Sequence, residues 1–187
     1  MKRETRAKAT VLHSEVLYQG PVFNVAREKI KEPNGLEVTK VFVQHPGSVV
    51  VLPVFDNGDI LLIRQYRHAA GEYLWELVAG RKDEGENFAQ GARRELKEET
   101  GYSAKRLKKL AEMFPTPGFV QERMVLFLAQ GLKAGQASPE DDEKIDAKIV
   151  TRKTALAWVR SGTIHDMKTV AGILYYDKFL RRGGNVK

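Results

Sequence analysis

Cysteine is absent from the 187 residues, which removes disulfides, thiolate metal sites and a cysteine nucleophile at once. Any metal must then be held by oxygen or by histidine. The four histidines, His13, His45, His68 and His165, stand singly and read as structural. Long hydrophobic runs are missing too. The most continuous one, Ser48 to Phe55, falls well short of the roughly 20 residues that a membrane helix needs. The opening MKRETRAKAT has no apolar segment of the kind a signal peptide carries. The expectation is a soluble, cytoplasmic chain with no membrane partner. No internal repeat or low-complexity segment occurs, and the length suits one domain with a small extension.

Charge is plentiful, and its placement matters more than its sum. The net value is +7, which on its own suggests nucleic acid. Residues 1 to 8 and residues 177 to 187 each contribute +3, so six of the seven charges lie near the ends. The remaining basic cluster, Lys105, Arg106, Lys108 and Lys109, has no interleaved aromatics and reads as a solvated face. No nucleic-acid partner is expected.

Taken in order, Thr10 to Leu17, Phe23 to Ile30 and Leu36 to Gln44 read as strands, the last two joined at the turn Pro33-Asn34-Gly35. Three strands without helices of their own make a marginal core, so this unit must pack on something else. Val49 to Phe55 and Ile60 to Arg67, separated by Asp56-Asn57-Gly58-Asp59, read as a buried hairpin, and Leu74 to Val78 as a short strand. Further strands are expected at Ala111 to Phe114, Met124 to Gln130 and Ile145 to Val150. Helices are expected at Lys153 to Arg160 and at Asp166 to Leu180, with Ala171, Leu174 and Tyr175 facing inward. The pattern is α/β, an α/β/α sandwich with a mixed sheet plus an N-terminal antiparallel sheet.

The densest chemistry lies between Gly80 and Tyr102, GRKDEGENFAQGARRELKEETGY. Phe88, Ala89, Ala92 and Leu96 recur at three- and four-residue intervals, and Gly101 sits where a C-terminal cap belongs, which predicts an amphipathic helix. Glu95 and Glu99 are four apart and Glu98 is three after Glu95, so the carboxylates project from one side. Like charges at that spacing cost a helix roughly a few tenths of a kcal/mol per pair. With nothing cationic separating them on that side of the helix, a positive partner in front is expected. Mg²⁺, which prefers oxygen and is often shared with substrate phosphates, fits that place, and Mn²⁺ is a possible substitute.

This stretch resembles the Nudix signature at every fixed position: Gly80, Glu86, Arg94-Glu95-Leu96, Glu98-Glu99 and Gly101-Tyr102. The resemblance implies a hydrolase with the sandwich fold. Pro117, 16 residues past Gly101, resembles the ADP-ribose pyrophosphatase subgroup, as do Arg64-Gln65-Tyr66-Arg67, Trp75 to Gly80 and Asp166 to Leu174. The implied reaction is Mg²⁺-dependent hydrolysis of ADP-ribose, or a close ADP-sugar, to AMP and a sugar phosphate. GDP-mannose or another nucleoside diphosphate sugar is the alternative substrate, and a ligand sensor without catalysis is the alternative of another class.

The resemblance also implies roles. Glu95, Glu98, Glu99 and the carbonyl of Ala79 are expected at the metal, with Glu143 of the acidic loop at the metal and the attacking water, and Asp141 and Glu140 as its neighbours in register. Phe23 is expected to stack adenine, with a core position as the other reading. Arg67 is the expected phosphate or ribose contact, with Arg64, Glu76, Pro117 and Glu122 as further substrate contacts, while Arg94 and Glu86 brace the loop and helix. The expected division is a basic tail at 1–8, a dimerisation sheet at 9–45, a catalytic domain at 46–182 and a tail at 183–187. A homodimer with exchanged N-terminal sheets is expected, the alternative being a monomer whose sheet folds back.

Overall fold

The computed structural model describes residues 7–138 and 144–180. Strands β1 (Thr10–Gln19), β2 (Asn24–Lys31) and β3 (Glu37–Gln44) form an antiparallel sheet. Asn34 closes the β2–β3 turn by accepting from the Leu36 amide at 3.0 Å. All ten residues of β1 are exposed, among them Val11, Val16 and Tyr18. Among the described residues no element covers that strand.

The rest of the chain is built on β4 (Ser48–Pro53), in which every residue is buried. It is followed by β5 (Ile60–Arg67), β6 (Glu72–Glu76), β7 (Val78–Arg81), α1 (Phe88–Thr100), β8 (Ser103–Met113), β9 (Val120–Gln121), β10 (Met124–Lys133), β11 (Asp146–Val150), α2 (Arg152–Ser161) and α3 (Met167–Tyr175). One wide π-type turn, Tyr176–Leu180, ends the described chain. A mixed sheet runs β7-β4-β10-β8, with β4 and β10 parallel, and a second sheet runs β11-β5-β6. Side chains alternate across β4. Val49 and Val51 meet Ala92 and Leu96 of α1, while Val50 and Leu52 share the opposite cluster with Ala155 of α2 and Ile173 of α3. Helices therefore cover both faces, which gives the expected α/β/α sandwich.

Several expectations need correction. Strands β4 and β5 are not a hairpin: apart from one bridge between Val54 and Ile60 they belong to different sheets. An apolar run reports burial on both faces but not the identity of the neighbour. The single strand expected at Leu74 to Val78 is two strands, one in each sheet, and Leu77 is the crossover. Strand β8 is far longer than expected, because Lys105, Arg106, Lys108 and Lys109 lie on an edge strand where exposed charge is compatible with pairing. In α3 the buried residues are Thr169, Gly172 and Ile173, and Leu174 is exposed. Among the described residues no helix is long and apolar enough to cross a membrane.

Candidate active site

Helix α1 starts and stops where its caps dictate. Asn87 Oδ1 accepts from the amides of Ala89 and Gln90, and Gln90 returns the bond to the Asn87 amide at 2.8 Å. Gly101 ends it at φ 75°, a left-handed conformation that costs glycine nothing. The buried stripe is Gly91, Ala92, Leu96 and Glu99, not the purely apolar one the sequence suggests, and Ala89 is exposed. A carboxylate thus sits on the inner face, 4% exposed, where Glu99 accepts from the Ala79 amide at 3.3 Å.

The three helix carboxylates do not face an empty front. Arg94 reaches among them: Nη1 donates to Glu95 at 2.8 Å and to Glu98 at 2.9 Å, and Nη2 donates to Glu86 at 2.8 Å and to the Arg81 carbonyl at 2.9 Å. Asp83 adds an ion pair to Nε at 3.2 Å. This corrects the view that no cation lies between the carboxylates, and it matches the bracing expected of Arg94 and Glu86. The bonds to Arg94 hold the Glu86 carboxyl below its ordinary range, and Glu86 in turn raises the guanidinium of Arg94.

Among the described residues no three acidic or histidine side chains converge as a ready metal cluster. The donor chemistry nonetheless fits a hard cation. It is all oxygen, it comes from one helix side and the adjoining strand end, and a Cβ at Gly80 would overlap the Glu95 carboxylate. Only a glycine lets that carboxylate approach the strand. Mg²⁺ keeps several waters and needs few protein ligands, so a closed cage is not required. Glu143, Glu140 and Asp141 lie outside the described residues.

A cavity of about 400 Å³ is lined by Arg67, Ala79, Gly80, Arg94, Glu95 and Glu98. It shares Pro21, Val22, Arg81 and Asp83 with a larger cavity of about 670 Å³, lined also by Phe23 and His45. The β1–β2 turn thus closes on the end of β7 and the loop that follows it, tied there by the Arg81 guanidinium donating to the Pro21 carbonyl. Phe23 is 42% exposed and lies outside the core. His45 accepts from the Gly47 amide at 3.1 Å, and burial, aided by Arg81 and opposed by Glu122, lowers its pKa.

The other expected contacts separate. Arg67 makes a two-pronged pair with Glu76, Nε to Oε1 at 2.8 Å and Nη2 to Oε2 at 2.7 Å. Glu76 is fully buried and holds Arg67. Arg64 falls on the opposite face of β5 from Arg67 and lies over the rings of Tyr73 and Trp75, at 5.2 and 5.8 Å, in neither cavity. Glu122 accepts from the Ser48 hydroxyl at 2.7 Å, beneath His45. Pro117 lines a third cavity of about 560 Å³ against β2 and β3 with Val41, Phe114 and Phe119, away from α1. Sequence reasoning gave no role to Lys168, Asp166 or Thr169, which complete the surroundings of Glu76. Asp166 at an N-cap position three before Thr169 was the available signal.

The NUDIX domain model matches residues 44–167. A relative from Bacillus subtilis named ADP-ribose pyrophosphatase is 37% identical over 86% of this chain and 88% of its own. A Bacillus methanolicus relative named methanol dehydrogenase activator is 32% identical over 88% and 90%. A solved structure described as an ADP compounds hydrolase superposes with a TM-score of 0.79 at 23% identity, covering 96% of this chain and 98% of that one. With a capped carboxylate helix docked on the strand end at Ala79-Gly80, and a family match spanning both, the chain belongs to the Nudix family and is a Nudix hydrolase.

Proposed function

We propose that the protein hydrolyses the pyrophosphate of ADP-ribose, or of a close ADP-sugar, to AMP and a sugar phosphate with Mg²⁺. The observation that carries this is a pair of adjoining cavities that share Pro21, Val22, Arg81 and Asp83, one lined by Glu95, Glu98 and Arg67 and the other by Phe23. The name of the Bacillus subtilis relative supports the substrate class. Mg²⁺, when bound, neutralises the phosphate oxygens and polarises the bond to be cut.

The chain's own residues do the rest. Glu95, Glu98, Glu99 and the Ala79 carbonyl would hold the ion in place of the Arg94 bonds to Glu95 and Glu98, and the pair of Arg94 with Glu86 would keep the loop in place. Arg67 spends two of its five donors on Glu76 and offers others to phosphate or ribose oxygens. Phe23 offers a ring face to the adenine. Glu143 takes the proton of the attacking water. The water oxygen bonds to one phosphorus as the bridging P–O bond breaks, and the bridging oxygen leaves on the other phosphate.

A screen of ADP-ribose, ADP-glucose, GDP-mannose, NADH and diadenosine polyphosphates with Mg²⁺, with products identified by mass, tests this reading. ADP-ribose turned over to AMP and ribose phosphate is expected. Preference for GDP-mannose, or no turnover of any of them, overturns it. The Bacillus methanolicus relative favours a second reading, in which the same site serves a dehydrogenase partner. Stimulation of a methanol dehydrogenase without hydrolysis of any nucleotide would select it.

We also propose that residues 9–45 form a dimerisation region whose uncovered strands pair with a second copy. Support comes from the exposed Val11, Leu12, Val16, Leu17 and Tyr18. Light scattering is expected to give twice the chain mass. A monomer at micromolar concentration, together with unchanged KM in a chain starting at Pro46, would remove both the dimer and the adenine role of Phe23.

A further inference from the structure

Arg67 stands near the end of a strand with a side chain 40% exposed, where a long side chain would ordinarily sample many rotamers. It is held by Glu76, whose side chain is 1% exposed. A carboxylate that deeply buried is tolerated only when its charge is matched and its oxygens are bonded. Arg67 alone, half in water, does not provide that. The second cation comes from the N-terminus of α3: Lys168 Nζ donates to Glu76 Oε2 at 2.6 Å and to Asp166 Oδ1 at 3.0 Å. Asp166 Oδ2 caps the helix by accepting from the Thr169 amide at 3.0 Å and from the Thr169 hydroxyl. The Thr169 hydroxyl oxygen in turn accepts from the amide of Leu77, the crossover residue between β6 and β7, at 2.8 Å.

The result is a neutral alternating chain of charges, Arg67, Glu76, Lys168 and Asp166. It ends on the strand crossover two residues before Ala79. Lys168 is 11% exposed and lines neither cavity of the active-site cleft, so it is not placed to touch substrate.

We propose that Lys168, with Asp166 and Thr169, is a positioning residue: through Glu76 it fixes the guanidinium of Arg67 in the cleft. This rests on the reading that Arg67 contacts the phosphates or ribose of the substrate. The α3 terminus thereby sets one wall of the site from the far side of the sheet.

The test is Lys168→Met, which removes the charge and keeps the stem. KM for ADP-ribose with Mg²⁺ is expected to rise about tenfold, within the coupling range of one ion-pair network, while kcat moves less than about twofold. Arg67→Ala should raise KM at least as far, and Arg67→Ala combined with Lys168→Met should be no worse than Arg67→Ala alone. A full additional KM defect in the double variant overturns the proposal. A second readout needs neither metal nor substrate: the Arg67 Nε–H signal in nitrogen-15 NMR should be ordered in the wild type, averaged in Lys168→Met and restored in Lys168→Arg. An unchanged signal in Lys168→Met also overturns it. If Arg67→Ala leaves KM unaltered, the substrate role of Arg67 is what fails, and the NMR signal alone decides the positioning. Asp166→Asn keeps the helix cap and loosens Lys168; it carries the same expectations in smaller measure should Lys168→Met not fold.

Discussion

Two arginines, Arg67 and Arg94, each sit in a nest of carboxylates on either side of Ala79 and Gly80, and the nests are balanced differently. Around Arg94 stand Asp83, Glu86, Glu95 and Glu98, four acids to one guanidinium. Lys82 spends its ammonium on the carbonyls of Asp83 and Glu86. Around Arg67 stand Glu76 and Asp166, with Lys168 as the second cation, two acids to two bases. An unbalanced nest at a cavity holds its negative charge at a cost in repulsion and is completed by a further cation; a balanced nest is complete as it stands. On the proposed reading the first serves the reaction and the second positions Arg67, although both contain an arginine that lines the same cavity.

The largest expected effect is at the proposed metal ligands, Glu95 within the unbalanced nest and Glu99 beside it. Glu95→Gln and Glu99→Gln each remove one ligand charge and little volume, and each should lower turnover about a thousandfold, the scale of losing several kcal/mol at the transition state. Without Mg²⁺ Glu95→Gln should not melt below the wild type, since four acids share the one guanidinium of Arg94 and removing one of them relieves repulsion. Thermal shifts with and without Mg²⁺, beside steady-state rates, check both halves. Near-normal rates in both variants would show that the metal assignment is wrong.

That difference between the nests was only half legible in sequence. The spacing of Glu95, Glu98 and Glu99 made the carboxylate face visible, and Gly101 marked where its helix stops. Arg94 was read as a brace to Glu86, but its reach to Glu95 and Glu98 was not, because which helix neighbours a long side chain engages is a rotamer choice. The second nest was invisible for a different reason. Glu76 and Lys168 are 92 residues apart, and α3 meets β6 only through the packed sandwich. For the same reason β4 and β5 were misread as a hairpin: local pattern reports burial, and pairing is a tertiary fact. Strand β8 was half hidden by its lysines, which follow from its place at a sheet edge.

Next in size is the breaking of the balanced nest. Glu76→Gln leaves the buried Lys168 and the half-exposed Arg67 facing a neutral amide, and it should cost about 3 kcal/mol of folding stability, read from urea midpoints. A loss below the scatter of the measurement would mean that the network is ornamental. The same variant supplies a pH comparison. Burial alone would raise the Glu76 carboxyl, but the bonds from Arg67 and the nearby charge of Lys168 outweigh it and bring it below its ordinary 4.5. A depressed carboxylate contributes stability that is fully present above its unfolded value and disappears as pH falls through its folded value. The gap between wild type and Glu76→Gln should therefore be constant near neutrality and narrow only below about pH 4.5. A gap that narrowed between pH 8 and 6 would assign the linkage to another group.

The smallest expected effect concerns charge that belongs to neither nest. Lys105 and Lys108 are exposed on β8, the edge of the mixed sheet, and in water their contribution to stability is screened. Replacing both with serine should change stability by less than about 0.5 kcal/mol and leave turnover of ADP-ribose unaltered. Their work is to keep a long edge strand from pairing with another chain, since a lysine on an open edge must be desolvated before a second strand can join. The double variant should accordingly associate or precipitate at lower protein concentration while keeping its melting temperature, which light scattering at increasing concentration separates from unfolding. The same experiment bears on nucleic acid: if this cluster bound a phosphate backbone, the wild type would retain single-stranded DNA in a salt-dependent way and the serine variant would not. Retention by neither protein is expected, and retention by the wild type alone would turn the solvated edge into a binding face.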